Sequence, residues 1–252
     1  NGETTCPDGS SAFEYVEYDH RRCNHLFDVL CLLAPNGCAD LDFVRIEGGE
    51  FSMGSEDYSD EQPIHTVNIP DFEMMHKEVT VAQYRACVDA DFCSIPRTGP
   101  DYNWGILGRD DHPMNGISWF QLNEFAEWVD ARLPSESEWE YAARRGGDDV
   151  NFPWGNDAPS SDLAIYATSL TAPVCSKIEG NTSHGLCDMA GNAWEWVQDE
   201  YHRDYVGAPV DGIGWCTDDC SVNANENTAR MMRGGGFRSA PALLRVTHRF
   251  NR

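Results

Sequence analysis

Cysteine is the feature that most limits what this 252-residue chain can fold into, because it occurs ten times, an even number. None of the cysteines forms the CxxC pairs that are typical of a zinc site. We therefore predict disulfides, and with them an oxidising compartment, which means a protein that is secreted, on an extracellular surface or in a periplasm. Six cysteines lie in three groups that are close in sequence, namely Cys87 with Cys93, Cys175 with Cys187, and Cys216 with Cys220.

The first 40 residues differ from the rest and predict a cysteine-rich N-terminal extension that precedes a main domain at 41–252. The extension contains LFDVLCLLAP, an apolar stretch that predicts a short helix. No apolar run is long enough for a membrane span, so we expect no membrane insertion, and the disulfides imply that an export signal has been removed. The four cysteines of the extension can pair in three ways that the sequence does not distinguish, and they are Cys6, Cys23, Cys31 and Cys38.

The charge of the chain excludes some classes of partner. Acidic residues number 42 against 18 basic ones, which gives a formal net charge of -24. Such a surface repels nucleic-acid phosphates and anionic lipids and attracts cations, so we expect no nucleic-acid partner. The alternative reading of the same charge is a solvated coat that keeps the protein soluble.

The pattern of the main domain predicts an α+β fold with short strands and long irregular loops. Alternation in FVRIEGGEF predicts a strand, a glycine turn and a second strand, and HTVNIPDFEMM predicts a further strand region. A last strand pair is predicted near RMMRGGGFRS and ALLRVTHRF, after a loop-rich stretch that begins near residue 146. Three capping boxes predict helix starts, and they are Thr80 with Gln83, Ser118 with Gln121, and Ser135 with Glu138.

The segment CDMAGNAWEWV, residues 187–197, offers a compact set of oxygen donors. Asp188, Gly191, Asn192, Ala193 and Glu195 combine carboxylates with a glycine turn that can direct carbonyls inward. Calcium prefers six to eight oxygens of these kinds, so the segment is a candidate calcium site. The alternative is a capped turn with core tryptophans, in which a buried arginine holds Glu195.

Other residues point to structural roles. The histidines, among them His65, His76, His112 and His184, are scattered and form no HExxH or HxH pair, so they favour surface or structural roles over metal binding. The sequence has neither a GxGxxG nor a P-loop, which argues against nucleotide binding. Six arginines near the end predict buried pairs with acids rather than an anion site, and they are Arg230, Arg233, Arg238, Arg245, Arg249 and Arg252.

Seven motifs follow one another over roughly residues 42–250, and they are FVRIEGGEFSMGS, KEVTVAQYRACV, DDHPMNGISWFQLNEFAEWV, RLPSESEWEYAARRG, FPWGN, GLCDMAGNAWEWV and RMMRGGGFRS. Their order resembles the formylglycine-generating enzyme, or sulfatase-modifying factor, family. The resemblance implies a variant of the C-type lectin fold with little regular secondary structure and one calcium site. It implies that Asp188 and Glu195 bind calcium by side chain, that Gly191 and Ala193 bind it by carbonyl, and that the tryptophans beside Glu195 anchor the turn in the core.

The sequence departs from the family where the family performs catalysis. The family uses a cysteine pair just after the RGGS-like segment to bind copper and activate oxygen, whereas the last cysteine here is Cys220. Ser239 lies near the first cysteine position and cannot replace a thiolate, so we expect no catalytic residue of that kind and no copper. The stretch DAPSSDLAIYATSL also lacks the acid expected for a second calcium site.

These observations predict an exported, calcium-stabilised pseudoenzyme that works by binding or assembly. The expected partner is a protein or another copy of the chain. In the family a further strand closes the sheet, and we expect the partner to supply that strand. A glycan is a further possible ligand. The alternative is an enzyme, either a divergent oxidoreductase or a maturation factor that acts on a peptide or protein substrate.

Overall fold

A computed structural model describes residues 41–217, 220 and 228–252, and this part of the chain has an α+β fold. The predictions for residues 1–40, including their helix and the pairing of Cys6, Cys23, Cys31 and Cys38, lie outside the described residues. The described elements are β1 (Phe43–Ile46), β2 (Gly49–Met53), β3 (His65–Ile69), β4 (Phe72–Met75), α1 (Val81–Asp89), α2 (Trp119–Trp128), α3 (Glu136–Ala143), β5 (Glu195–Glu200), β6 (Arg230–Arg233) and β7 (Phe250–Asn251).

The first four strands form two antiparallel pairs, as β1 pairs with β4 and β2 pairs with β3. The predicted strands in FVRIEGGEF are therefore confirmed, although the two do not pair with each other. Gly48 lies between them, where a Cβ atom would come 2.1 Å from the carbonyl oxygen of Ile69. Only glycine allows this approach, and the Gly48 N–H donates to a carboxylate oxygen of Asp71 at 2.9 Å.

All three predicted capping boxes are present at the starts of the helices. At α3, for example, the Glu138 N–H donates to the Ser135 hydroxyl at 3.1 Å, and the Ser135 N–H donates to the Glu138 carboxylate at 2.8 Å. These reciprocal bonds satisfy amides that lack partners within the helix, so a four-residue pattern determines where each helix begins.

Helix α3 lies at the centre of the core. Every residue from Glu136 to Ala143 is buried, and the helix packs against β2, β3, β5 and β6. Its Trp139 is completely buried. The apolar side chains around it come from all parts of the main domain and include Ile46, Phe51, Val67, Leu186, Val197, Met231 and Val246.

The third sheet is antiparallel in the order β5-β6-β7. The prediction of a strand across ALLRVTHRF was mostly wrong, because Pro241–Leu244 form a 3-10 turn and the strand β7 contains only Phe250–Asn251. Pro241 has a fixed φ and no N–H, which suits the first position of a helical turn better than a strand. Strand β5 was not predicted at all, because its residues alternate too little between apolar and polar side chains.

Residues 144–194 contain a single short regular element, the 3-10 turn Ile178–Gly180. The loops are held instead by hydrogen bonds and by a disulfide between Cys175 and Cys187. The described residues contain two more disulfides, Cys87–Cys93 and Cys216–Cys220, so the pairs follow the groups seen in the sequence. Within the described ranges, no helix has the length and apolar character that crossing a bilayer requires.

Candidate metal site

The turn before β5 contains three residues in the left-handed region, namely Asp188 (φ 55°), Gly191 (φ 95°) and Asn192 (φ 55°). A Cβ atom on Gly191 would lie 2.4 Å from the carbonyl oxygen of Ile165, so glycine is required there. The Asn192 N–H donates to that same oxygen at 2.8 Å. The tight turn thus has a local cause and a fixed position against the neighbouring loop.

Asn192 holds this turn together and is completely buried. Its side-chain oxygen accepts the Ala172 N–H at 3.0 Å, and its side-chain nitrogen donates to the Glu78 carboxylate at 2.7 Å. Because its oxygen already has a donor, Asn192 acts as part of the scaffold rather than as an open oxygen ligand.

Three acidic residues meet at the turn, and we call Glu78, Asp188 and Glu195 the acid cluster. Glu78 accepts the Ala193 N–H at 2.8 Å, Asp188 accepts the Cys175 N–H at 2.6 Å, and Glu195 accepts the Trp139 indole N–H at 2.7 Å. Asp188 is buried, while Glu78 and Glu195 are partly buried. The backbone, amide and indole N–H groups that donate to these three carboxylates are all neutral.

Sequence reasoning missed Glu78, which precedes α1 and lies more than 100 positions before the turn. Its one local signal is an acid directly before a capped helix, and that signal does not indicate which loop the acid contacts. The expectation for the flanking tryptophans was also wrong. Trp194 and Trp196 are only partly buried, and the tryptophan that holds Glu195 is Trp139.

The acid cluster has no ion pair with arginine or lysine within the described part of the chain. Burial therefore raises the pKa of each carboxyl group. Burial and the charges of Asp188 and Glu195 raise the pKa of Glu78 well above its usual value. Burial also raises the pKa of Asp188, and burial together with the charge of Asp188 raises the pKa of Glu195 to about 7.

The arginines that could have neutralised the acid cluster are used elsewhere. Arg233 lies opposite Glu195 in the β5–β6 register, but its guanidinium donates to Glu136 at 3.2 Å and to Glu140. Arg249 forms a bidentate pair with Glu136 at 2.7 and 2.9 Å. We call Glu136, Glu140, Arg233 and Arg249 the ion-pair cluster, and all four residues are buried.

The other four arginines near the end of the chain were also predicted to form buried pairs with acids. Arg230 is buried and lies 3.9 Å from the buried Glu200, so buried pairing is confirmed there as well as in the ion-pair cluster. Arg245 is partly buried and pairs with the buried Glu61. Arg238 pairs with Asp101, but at an exposed position. Arg252 is exposed, and its backbone pairs with that of Arg230.

The geometry of the acid cluster limits how it can bind a cation. In the described residues, the one set of His, Cys, Asp or Glu ligand atoms that all lie within 4.8 Å of one another is His76, Cys175 and Cys187. The three carboxylates of the acid cluster are therefore more widely spaced. A calcium ion held by Asp188 and Glu195 needs additional oxygens, and backbone carbonyls are among the oxygens that calcium accepts.

The position that follows the glycine-rich turn carries a hydroxyl. Ser239 is buried, and its hydroxyl accepts the Gly236 N–H at 2.9 Å, which closes the turn after β6. No cysteine follows Cys220 in the sequence. The segment therefore contains no thiol that could bind a soft metal ion.

The fold and this turn define a C-type-lectin-like α+β domain of the kind found in formylglycine-generating enzymes. The family model for the sulfatase-modifying factor enzyme 1-like domain matches residues 34–252, and the chain belongs to this family. The formylglycine-generating enzyme of Streptomyces coelicolor is 30% identical in an alignment that covers 77% of this chain and 78% of that enzyme.

Other relatives and solved structures are also similar to this chain, although their names indicate different proteins. The serine/threonine-protein kinase Pkn1 of Chlamydia trachomatis is 32% identical over 226 residues, which cover 82% of this chain, but the chain spans only about a third (35%) of that relative. Among solved structures, PvdO from Pseudomonas aeruginosa superposes with a TM-score of 0.72 and 26% identity, over 85% of this chain and 90% of PvdO. Treponema denticola variable protein 1 has the same fold at 22% identity, with a TM-score of 0.62 and coverage of 83% and 88%.

Proposed function

We propose that this chain is an exported, calcium-stabilised binding or assembly protein on a formylglycine-generating-enzyme-like scaffold, without the oxidase chemistry. One observation carries the calcium part: the acid cluster receives only neutral N–H donors, although burial penalises its charges. A bound divalent cation would supply the missing positive charge. Asp188 and Glu195 would bind it by side chain, and Gly191 and Ala193 by carbonyl, while Glu78 holds the turn.

The non-catalytic part of the proposal rests on Ser239. A hydroxyl that already accepts a backbone N–H stands in the segment where the family has its copper-binding cysteine pair. A hydroxyl does not form the thiolate that copper(I) prefers, so we expect no copper and no oxidation of a substrate cysteine.

The assembly part is supported by the outer edge of the third sheet. Strand β7 pairs with β6 on one side, and its Phe250 is 45% exposed and stacks on Trp194 at 4.8 Å. An aromatic side chain on an edge strand is suited to contact with another protein chain or a second copy. The three disulfides agree with an extracellular or periplasmic location, and export is part of the proposal.

Thermal unfolding with calcium and with a chelator tests the calcium part. Because a cation that binds only the folded state stabilises it by mass action, calcium at 100 times its dissociation constant should add about 2.7 kcal/mol to the free energy of unfolding. Glu195→Gln keeps an acceptor for the Trp139 indole and removes the charge. This variant should lose the gain from calcium and unfold no more easily than the wild type in chelator.

Glu50→Gln is the matched control, because Glu50 is an exposed acid on β2. If calcium acted only on the overall charge of -24, both variants would respond to calcium like the wild type. Equal melting of the wild-type protein in calcium and in chelator would refute the calcium site.

A second candidate function is a divergent oxidoreductase or a maturation enzyme for a peptide or protein substrate. The relatives favour it, since they include enzymes named formylglycine-generating enzyme and, at 28% identity, the hercynine oxygenase of Mycolicibacterium smegmatis. Oxygen consumption with copper(I) and a cysteine-containing peptide separates the two candidates. We expect no consumption above a buffer control, and turnover would replace the binding proposal with an enzymatic one.

A further inference from the structure

A second group of metal-ligand atoms lies beside the acid cluster and is made of a different kind of donor. The Nε2 atom of His76 lies 3.3 Å from the sulfur of Cys187 and 4.0 Å from the sulfur of Cys175. The two cysteines form a disulfide. We propose that reduction of this disulfide creates a site for a thiophilic divalent cation such as zinc, with His76, Cys175 and Cys187 as ligands.

The nitrogen-to-sulfur distances suit a shared metal ion. With zinc–sulfur bonds of about 2.3 Å and zinc–nitrogen bonds of about 2.0 Å, tetrahedral geometry places the nitrogen and sulfur ligands roughly 3.5 Å apart. The observed 3.3 and 4.0 Å bracket that separation. Once the sulfur–sulfur bond is broken, the two sulfur atoms need to move apart only far enough to bind the same metal ion.

The backbone holds all three residues in place independently of the disulfide. The Cys187 N–H donates to the His76 carbonyl at 2.9 Å, which ties the cysteine to the end of β4. The Cys175 N–H donates to the Asp188 carboxylate at 2.6 Å, and Asn181 donates to the Cys187 sulfur at 3.5 Å. Breaking the disulfide therefore leaves the ligands close to one another, which favours a specific site over two free thiols.

The surroundings of His76 suit an open metal site. Its second ring nitrogen, Nδ1, lies 3.7 Å from the carboxylate of Asp42, so a slightly closer approach of this exposed side chain would form the hydrogen bond that orients histidine ligands in many metal sites. The His76 side chain is 31% exposed and Cys175 is partly buried, so a cation and a solvent ligand can reach the cluster. Three protein ligands and one open position describe a soft divalent site rather than a calcium site.

The change of state is a two-electron step. A dithiol reductant gives two electrons and two protons to the disulfide, so that Cys175 and Cys187 become thiols while the reductant forms its own disulfide. The cation then takes the place of the two thiol protons, which pass to solvent. Exchange with the disulfide form of the reductant reverses the step, because that disulfide takes up two electrons and two protons while Cys175 and Cys187 form their bond again and release the cation.

The experiment uses the full chain, reduced with a phosphine under anaerobic conditions and titrated with cobalt(II) as a spectroscopic probe for zinc. Cobalt bound by thiolates gives an intense near-ultraviolet absorption band. The double variant Cys175→Ser/Cys187→Ser is the negative control. The double variant Cys87→Ser/Cys93→Ser is the matched control, because it removes the disulfide that lies outside this metal-ligand cluster.

We expect reduced wild type and the matched control to bind one more equivalent of cobalt than Cys175→Ser/Cys187→Ser. Comparing variants removes any contribution from the other cysteines. The oxidised wild type should lack this equivalent. His76→Ala should weaken it and change the cobalt spectrum, because the nitrogen ligand is lost.

Near-ultraviolet circular dichroism keeps the test decisive if reduction unfolds the chain. Recovery of the folded signal on adding zinc to the wild type, without recovery in Cys175→Ser/Cys187→Ser, would support the site, because metal binding would then drive folding. Equal cobalt binding by the folded wild type and that variant would overturn the proposal. So would a reduced wild type that zinc does not refold.

Discussion

The ion-pair cluster and the acid cluster solve the same electrostatic problem in two different ways. In the ion-pair cluster, burial alone would raise the pKa of Glu136, but the guanidinium groups of Arg249 and Arg233 outweigh it and hold that pKa below its usual value. In the acid cluster, no guanidinium from the part of the chain that the structure describes pairs with a carboxylate, and the pKa of Glu195 rises to about 7. The cation is part of the chain in the ion-pair cluster, and in the acid cluster we propose that it comes from solvent.

The difference shows how helix α3 serves both clusters. Its Glu136 and Glu140 side chains belong to the ion-pair cluster, while the indole of Trp139 reaches Glu195 in the acid cluster. The buried helix thus contributes side chains both to an ion-paired site and to a site whose described residues form no ion pair. The guanidinium of Arg233 is held by Glu136 and Glu140 and therefore does not neutralise Glu195.

The largest expected effect comes from breaking the ion-pair cluster with Arg233→Met. This change leaves the carboxylates of Glu136 and Glu140 buried without one of their cations, and it should lower the free energy of unfolding by about 3–5 kcal/mol. Urea denaturation measures the loss. Added calcium should stabilise the wild type and the variant by the same amount and leave the difference between them unchanged, since the acid cluster is a separate site. A difference that shrinks in calcium would contradict the comparison.

A somewhat smaller effect is expected from Gly191→Ala in the turn of the acid cluster. The new Cβ would meet the Ile165 carbonyl at 2.4 Å, at a φ of 95° that favours glycine. We expect a loss of about 2–4 kcal/mol from the conformation and the clash together, and weaker calcium binding.

Gly105→Ala is the control for that prediction. Gly105 also has a positive φ, of 75°, but a Cβ there would have no atom within 4 Å. Its cost should be the conformational part alone, about 1–2 kcal/mol, with calcium affinity unchanged. Equal losses in the two glycine variants, measured by urea denaturation, would show that the Ile165 contact is unimportant.

Asp199 lies beside the ion-pair cluster, where it accepts the Glu136 N–H. The pH dependence of the free energy of unfolding tests how burial affects this carboxyl group. Burial and the charge of Glu136 raise the pKa of Asp199 to about 7. Between pH 4 and 7, roughly, the folded protein keeps a proton that unfolded Asp199 has already released. The free energy of unfolding should therefore fall as the pH rises through this window, by up to about 1.4 kcal/mol per pH unit from this group.

The variant Asp199→Asn should lack this contribution. Urea denaturation at pH 5, 6 and 7 in saturating calcium should give a shallower fall for Asp199→Asn than for the wild type. The quantity to compare is the slope of the free energy of unfolding against pH. The absolute stability is less informative, because it also depends on the hydrogen bonds from the Trp215 and Glu136 N–H groups to Asp199. Parallel slopes would mean that Asp199 is already ionised in the folded protein.

The smallest effect is expected from Arg238→Ala. The side chains of Arg238 and Asp101 are 57% and 47% exposed, so water already solvates both charges. The loss should be below about 1 kcal/mol, and salt should reduce it further. A loss as large as that of Arg233→Met would indicate that burial does not decide what an ion pair contributes in this protein.

The sequence predicted those parts of the structure that depend on short stretches of chain. The capping boxes at Thr80, Ser118 and Ser135 were correct because each uses side chains and amides within four residues. The turn at Asp188 to Asn192 was recognisable because its glycine and its polar residues are adjacent. The strand at ALLRVTHRF failed because apolar alternation does not reveal that Pro241 begins a helical turn.

The candidate sites show the same division. Asp188 and Glu195 were found from a motif of eleven residues, whereas Glu78 was not, because its contact with the turn spans more than 100 positions. His76 was set aside as a scattered histidine, since its sulfur neighbours are about 100 positions away. No local pattern distinguishes such residues from ordinary surface residues.

The sequence by itself determined the family, the helix starts, the grouping of six cysteines and the turn with Asp188 and Glu195. Only the tertiary structure decided that β1 pairs with β4, that Arg233 serves Glu136 and Glu140 rather than Glu195, and that Glu78 joins the turn. The physical reason is that local hydrogen bonds form between neighbours in the chain. The choice of partner for a buried charge or a strand instead depends on which surfaces the packed core brings together.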